Sequence, residues 1–285
     1  MTNKAARLED RGVVRVAGED AVTFLQGLIT NDVEKLNPGE ARYAGLLTPQ
    51  GKILFDMIVV RVPADSGAAF LLDCAAAQAA ELARRLGFYK LRARVAIADE
   101  SADRGVAAFW GEAPDIPPDA VVYDDPRDPR LGLRAILPRP VLTALGTEHA
   151  ATYEALRIDA VAPKGGVDFA YGEAFPQDAN FDLLNGVDFQ KGCYVGQEVV
   201  SRMKHRGTGR KRVQRVKLAA DAPQPGTAVL DGELPVGTLG SSSGREALAM
   251  LRLDRVEEAK AAGRTLSAGG VGVALAEQAS TGALD

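Results

Sequence analysis

The stretch GVDFQKGCYVGQEVV, Gly186 to Val200, holds one of the two cysteines of a 285-residue chain. Cys193 lies in a turn of small and polar residues, two positions after Lys191. An idle cysteine is more often buried as a small hydrophobe. Gly192 and Gly196 let the backbone pass close to a ligand or take positive φ. Gln197 and Glu198 then open a predicted helix, GQEVVSRM, so the thiol stands just ahead of a helix N-terminus. That position, with Lys191 nearby, favours a thiolate. It suits a nucleophile, a redox thiol or a single metal ligand, and the plain alternative is a tight turn with an incidental cysteine. Spacing does not choose between them, because no histidine stands close.

Downstream, from about Arg212, the pattern becomes all-β. VQRVKLAA, TAVLD, LPVGTLGSSS, EALAMLRLD and GVGVALAE are short strands separated by Gly, Pro, Ser and Asp, the signature of a small barrel or sandwich. A domain boundary near residue 208 follows. Upstream, strands and helices alternate. A strand over 13–16 leads into a helix carrying Val22, Leu25, Leu28 and Ile29 on one face, with Glu19 and Asp20 in its first turn. ARYAGLLTPQGKILFDMIVVRV reads as a hairpin turning at Thr48-Pro49-Gln50-Gly51. AAFLLD is a strand. AAAQAAELARRLGF is a helix stopped at Gly87. ARVAIAD and GVAAFWG are strands, and another helix spans Ala150 to Asp159. GEAPDIPPDAVVYDDPRDPRLG reads as connecting loops. The alternation predicts an α+β layer with a mostly antiparallel sheet.

Three further places carry candidate chemistry. Asp56 is the only charge between Lys52 and Arg61, in mid-strand among Leu54, Phe55, Met57 and Ile58. Aspartate is disfavoured in strands and costly when buried unpaired, so it is expected to face a polar cavity or an exposed edge. There it could hold the ring nitrogens of a heterocycle or act as a base. Tyr171, Glu173 and Phe175 form an aromatic–carboxylate cluster able to stack on a flat ring, or simply to pack a loop. The run SRMKHRGTGRKRVQRVK, with Arg202, Lys204, His205, Arg206, Arg210, Lys211, Arg212, Arg215 and Lys217, could grip a polyanion or form a solvated face. Cys74 ends an apolar strand and is expected in the core.

Composition bounds the rest. Hydrophobic content of 46% and charged content of 25% are those of a soluble globular protein. A net charge of −4, with a pI of about 5.4, argues against nucleic acid as a direct ligand. No long apolar run and no leader pattern is read, so no membrane partner is expected. Two distant cysteines fit a reducing, cytoplasmic setting. Two histidines and two cysteines do not supply a closed metal site, so none is expected.

Lys191 to Glu198, KGCYVGQE, resembles the signature of the YgfZ family of folate-binding proteins, which includes mitochondrial iron–sulfur assembly factors of the same type. FLQGLITNDVEKL, LLTPQGKILFDMIV, FYKLRARV and RMKHRGTGRKRV resemble the family in the same order, over most of residues 10 to 215. The family is similar in turn to the aminomethyltransferases of glycine cleavage. The resemblance implies an aminomethyltransferase-like folate-binding fold of class α+β, with antiparallel sheets around a central cavity and a small C-terminal β-barrel. It assigns residues 1–208 to a folate-binding core of two interleaved α+β subdomains and residues 209–285 to the barrel domain.

The resemblance also implies roles. FDMIV is similar to the transferases' stretch around a catalytic aspartate, which falls on Asp56. YGE is similar to a loop that brings a glutamate to the pterin, here Glu173. The position of Cys193 is usually acidic in the transferases, a departure that argues against glycine-cleavage chemistry. The implied protein binds tetrahydrofolate and supports assembly or repair of iron–sulfur clusters in client enzymes, including radical enzymes that modify tRNA. Cys193 is its working thiol, tuned by Lys191 and positioned by Gln197 and Glu198. Folate contacts are expected from Asp56, Tyr171, Glu173, Gly192, Tyr194, Gly196, Gln197, Glu198 and Arg202. Such a protein is an accessory factor rather than a turnover enzyme. A one-carbon transferase with Asp56 as base, and an RNA-binding protein using residues 202–217, are the competing readings.

Overall fold

The structure, a computed structural model, describes residues 4–111, 116, 120–145, 149–207 and 209–276. Two antiparallel sheets and a closed barrel organise them. The strands of the first half are β1 (Lys4–Leu8), β2 (Arg11–Gly18), β3 (Ala41–Leu47), β4 (Ile53–Val62), β5 (Ala68–Ala75), β6 (Ala96–Asp99), β7 (Arg104–Trp110), β8 (Val121–Asp124) and β9 (Leu133–Pro138). One sheet has the order β3-β4-β5-β2-β6 and the other β1-β7-β9-β8. Helices α1 (Ala21–Gln26) and α2 (Ala79–Tyr89) cover the outer face of the first sheet, and α3 (Arg139–Ala144) packs on the second.

Strand parity decides what meets inside. On β4, Phe55, Met57 and Val59 join the core beneath α1 and α2, while Ile58 and Val60 join the core between the sheets. Alternation therefore turns Asp56 inward, on the same face as Ile58. The same rule sends Tyr43 of β3 and Asp73 of β5 inward, and Cys74 outward under the helices. Because both faces of β4 are covered, it reads as a nearly continuous apolar run. Asp56 interrupts that run.

After α4 (Ala150–Asp159), residues 160–196 form turns that close over the inner core with Phe169, Phe181 and Tyr194. Then come α5 (Gln197–Arg206) and the barrel strands β10 (Lys211–Leu218), β11 (Ala228–Asp231), β12 (Leu234–Ser243), β13 (Glu246–Arg252), β14 (Leu266–Ala268) and β15 (Val271–Leu275), with α6 (Leu253–Ala261) packed against the barrel core. The barrel closes in the order β10-β13-β12-β11-β14-β15. Arg157 of α4 locks it to the first half, bonding Asp168 at 2.9 Å and Ser241 of β12 at 2.6 Å.

The fold class stands as expected, and several local readings are corrected. α1 ends at Gln26, and Leu28 and Ile29 stay buried in the turn beyond it. Asp20 is the residue before α1 rather than in its first turn, and its carboxylate binds Arg94. Gly87 lies inside α2, which runs on to Tyr89. The Pro- and Asp-rich connection contains β8, while its residues 112–115 and 117–119 lie outside the described set. The helix α6 was not foreseen at all. Residue 208, the expected boundary, also lies outside the described residues.

Candidate functional site

Asp56 is 3% exposed. Two tyrosines close over it: the Tyr171 hydroxyl donates to Oδ1 at 2.5 Å and the Tyr43 hydroxyl to Oδ2 at 3.4 Å. Backbone pairing puts Tyr171 there. Gly172 N–H donates to the Ile53 carbonyl at 2.7 Å, and Ile53 N–H donates to the Ala174 carbonyl at 2.9 Å. The segment 171–174 thus runs as a strap along the start of β4. Gly165 makes room for the ring, since a Cβ there would sit 2.1 Å from the Tyr171 hydroxyl oxygen. Burial, then the Asp56 charge, pushes the Tyr171 and Tyr43 hydroxyls well above the usual phenol range. Glu173 turns the other way. It is exposed and lines a separate cavity of about 270 Å³ against Lys211, Thr238 and Met250 of the barrel.

Beside Asp56 lies a buried ionic network. Arg11 Nε donates to Asp73 at 2.6 Å, Arg134 bridges Asp73 (2.5 Å) and Asp125 (2.8 Å), and Arg127 holds Asp125 through two bonds at 2.9 and 2.7 Å. Burial opposes the charge on both carboxyls, and their arginine partners nonetheless hold them below the usual range. Arg11, Arg127 and Arg134 line a cavity of about 300 Å³, together with Tyr153, Arg157 and Lys164. Sequence reasoning passed over these residues. Their signal was faint: an arginine at the head of one strand and aspartates inside or beside others.

The Cys193 loop is built on a different principle. Its thiol is exposed, whereas Cys74 is buried and pushed up to about 12. The backbone beneath the thiol is pinned. Lys191 Nζ donates to the carbonyls of Gln26 (2.9 Å), Ile29 (2.8 Å) and Asn31 (2.7 Å), which occupies all three ammonium donors. Lys191 therefore anchors the loop, and its ammonium is not free to donate to the thiol. Burial pulls it down to about 8. Asp188 caps the turn by accepting from Gln190 N (2.7 Å) and Lys191 N (3.1 Å). Thr30 and Asn31 stitch the preceding residues through the carbonyls of Gly186 and Asn185.

Gly196 has φ 84°, and a Cβ on it would lie 2.6 Å from the Thr48 carbonyl oxygen. Only glycine seats α5 this closely on the β3–β4 turn. Tyr194 is buried beneath the loop. Gln197 is half-buried at the start of α5, and Gly192 is exposed. Glu198 and Arg202 pair with each other at 2.5 Å on the exposed side of α5. The structure thus gathers Asp56 and Tyr171 in the interior. It gathers Lys191, Gly192, Cys193, Tyr194, Gly196 and Gln197 in the outer loop, and it leaves Glu173, Glu198 and Arg202 apart from both. The basic run does not form one face. Lys204 covers the Phe189 ring at 3.5 Å, while Arg212 pairs with Asp182 and Arg215 with Asp159.

Comparison with known proteins places this arrangement. The description "CAF17, C-terminal beta-barrel domain" matches residues 210–281, and "GCVT N-terminal domain" matches residues 8–114. The mouse "Iron-sulfur cluster assembly factor IBA57, mitochondrial" is 31% identical over 290 residues, covering 88% of this chain and 78% of that protein. The chain belongs to the IBA57 family. The human IBA57 is likewise 31% identical, with the same coverage. The Mycosarcoma maydis IBA57 homolog is 35% identical over 245 residues, of which the chain spans 81% of its own length and 61% of the relative's. The glycine cleavage system aminomethyltransferase T of Bartonella henselae shares the fold, with a TM-score of 0.74 at 18% identity over 97% of this chain and 86% of that one.

Membership of the IBA57 family agrees with the mitochondrial-type assembly factors implied by KGCYVGQE, while the name YgfZ rests on the sequence resemblance alone. The cytoplasmic expectation is overturned, because the IBA57 relatives are named as mitochondrial. Among the described residues no helix is long and apolar enough to cross a membrane, and no group of ligating side chains could hold a metal.

Proposed function

We propose that this chain supports the assembly or repair of iron–sulfur clusters in client enzymes, with Cys193 as its working thiol. The observation that carries the reading is an exposed thiol on a loop whose backbone is fixed from beneath by Lys191, Asp188 and Gly196. A thiol meant only to fill space needs no such seat. One that must meet a second protein gains from it, because little ordering is left to do at the encounter. The clients in this reading include radical enzymes that modify tRNA.

The same reading places tetrahydrofolate in the interior, with Asp56 as its inner partner. The residues fit it in part. Arg11, Arg127 and Tyr153 line a charged cavity of about 300 Å³, at the lower end of ligand-site volumes, but Asp56, Tyr43 and Tyr171 are not part of its lining, so the polar cavity expected at Asp56 is not open there. Asp56 is an acceptor for ring N–H groups, but Tyr171 covers it, so access requires that hydroxyl to leave. Bound tetrahydrofolate would supply a reduced pterin able to carry a one-carbon unit. Asp56, Tyr171 and Tyr43 would orient it and exclude water.

The test is complementation of cells lacking their own factor, read as the activity of an iron–sulfur enzyme. Cys193→Ala is expected to be folded and to lose function, while Cys74→Ala retains it. Full complementation by Cys193→Ala removes the thiol from the mechanism.

A further inference from the structure

We infer that the tip formed by residues 84–94 is a contact site for an anionic membrane surface. The sequence there, RRLGFYKLRAR, carries five cations and no acid. α2 ends at Tyr89, and the chain turns through Leu91 with φ 42°, in the left-handed region that a branched side chain rarely occupies. The turn holds Leu91 90% exposed, and Phe88 one turn back is 60% exposed. Strained backbone that points an apolar side chain into water is a feature to be explained by function.

The charges divide in a telling way. Arg84 is paired with Glu81, and Arg94 with Glu19 and Asp20. Lys90 and Arg92, the two residues that flank Leu91, make no ion pair among the described residues. Cations at a helix C-terminus also suit the helix dipole, but that explains neither Leu91 nor Phe88. The two apolar side chains project outward, and neither lines any of the three cavities described for the molecule. A protein partner would need a matching hollow to receive them. A bilayer of anionic lipid accepts convex apolar tips among cations with no matching shape. Such a contact needs no spanning helix. It is local, because the chain as a whole carries −4, and so it is sensitive to salt.

The test is co-sedimentation of the full chain with vesicles of phosphatidylcholine mixed with phosphatidylserine, beside vesicles of phosphatidylcholine alone. Binding is expected to the mixed vesicles only and to fade at high salt. Phe88→Ser with Leu91→Ser, and separately Lys90→Glu with Arg92→Glu, should each weaken it roughly tenfold with an unchanged melting temperature. The inference is overturned if the unaltered chain ignores anionic vesicles at low salt, or if both variants bind as it does. It is also overturned if an acidic polypeptide or single-stranded DNA is held through this tip while vesicles are not. None of these outcomes depends on the role of Cys193.

Discussion

Asp56 and Cys193 are the two residues whose chemistry the sequence makes conspicuous, and the fold treats them in opposite ways. Asp56 is closed in by the hydroxyls of Tyr171 and Tyr43, beside largely buried guanidinium–carboxylate pairs. Cys193 stands in solvent, and every polar tie of its loop is made by the neighbours of the thiol rather than by the thiol itself. The interior invests stability in holding charges that are largely buried and paired. The loop invests it in holding a thiol in solvent on a fixed backbone. The difference teaches that an ionisable residue in a strand and one in a turn call for separate tests, one of stability and ligand binding, the other of reactivity.

The largest effect separating the two regions is expected at Asp73. Asp73→Ala leaves Arg11 and Arg134 buried without their shared carboxylate, and should cost about 3–5 kcal/mol in denaturant unfolding. Cys193→Ala should stay within about 0.5 kcal/mol of the unaltered chain. The same network sets an acid limit. Because the folded carboxyls of Asp73 and Asp125 lie below their unfolded value near 3.9, their contribution is complete above about pH 4 and is lost as pH falls through the folded values. A pH series of melting temperatures should fall below about pH 4, and the Asp73→Ala series should fall less steeply there.

Lys191→Met comes next. It strips three carbonyls of their donor and should cost about 2–3 kcal/mol, together with faster hydrogen exchange in residues 26–31 and 186–193. Were Lys191 instead a partner of the thiol, stability would hold and only the alkylation rate of Cys193 would change. Gly196→Ala is smaller, about 1–3 kcal/mol, from the positive φ and the approach to Thr48. The least costly probe is labelling. Iodoacetamide near neutral pH should modify Cys193 alone, and Cys74, pushed up to about 12 by burial, only on unfolding.

Much of this was legible beforehand. The alternation of strand and turn gave the barrel, and the Pro-Gln-Gly turn gave the β3–β4 hairpin, because both are local signals. An aspartate among Leu54, Phe55, Met57 and Ile58 announced itself as a charge needing partners. The partners were not legible. Tyr43 reaches Asp56 through the pairing of β3 with β4, and Tyr171 through the strap 171–174 along the start of β4, two segments far apart in the sequence. The anchoring role of Lys191 is hidden for the same reason. Two residues from a cysteine it resembles a tuning charge, but its acceptors lie some 160 positions away in the turn after α1.

The claim most open to a single experiment is that interior and loop serve separate steps. Anaerobic calorimetric titration with tetrahydrofolate, on the unaltered chain and on Asp56→Ala and Cys193→Ala, addresses it directly. Saturable binding that weakens by at least roughly tenfold in Asp56→Ala, as for loss of a charged hydrogen-bond partner, and is unchanged in Cys193→Ala is the predicted result. Binding lost in Cys193→Ala but kept in Asp56→Ala would contradict it and place the ligand at the loop.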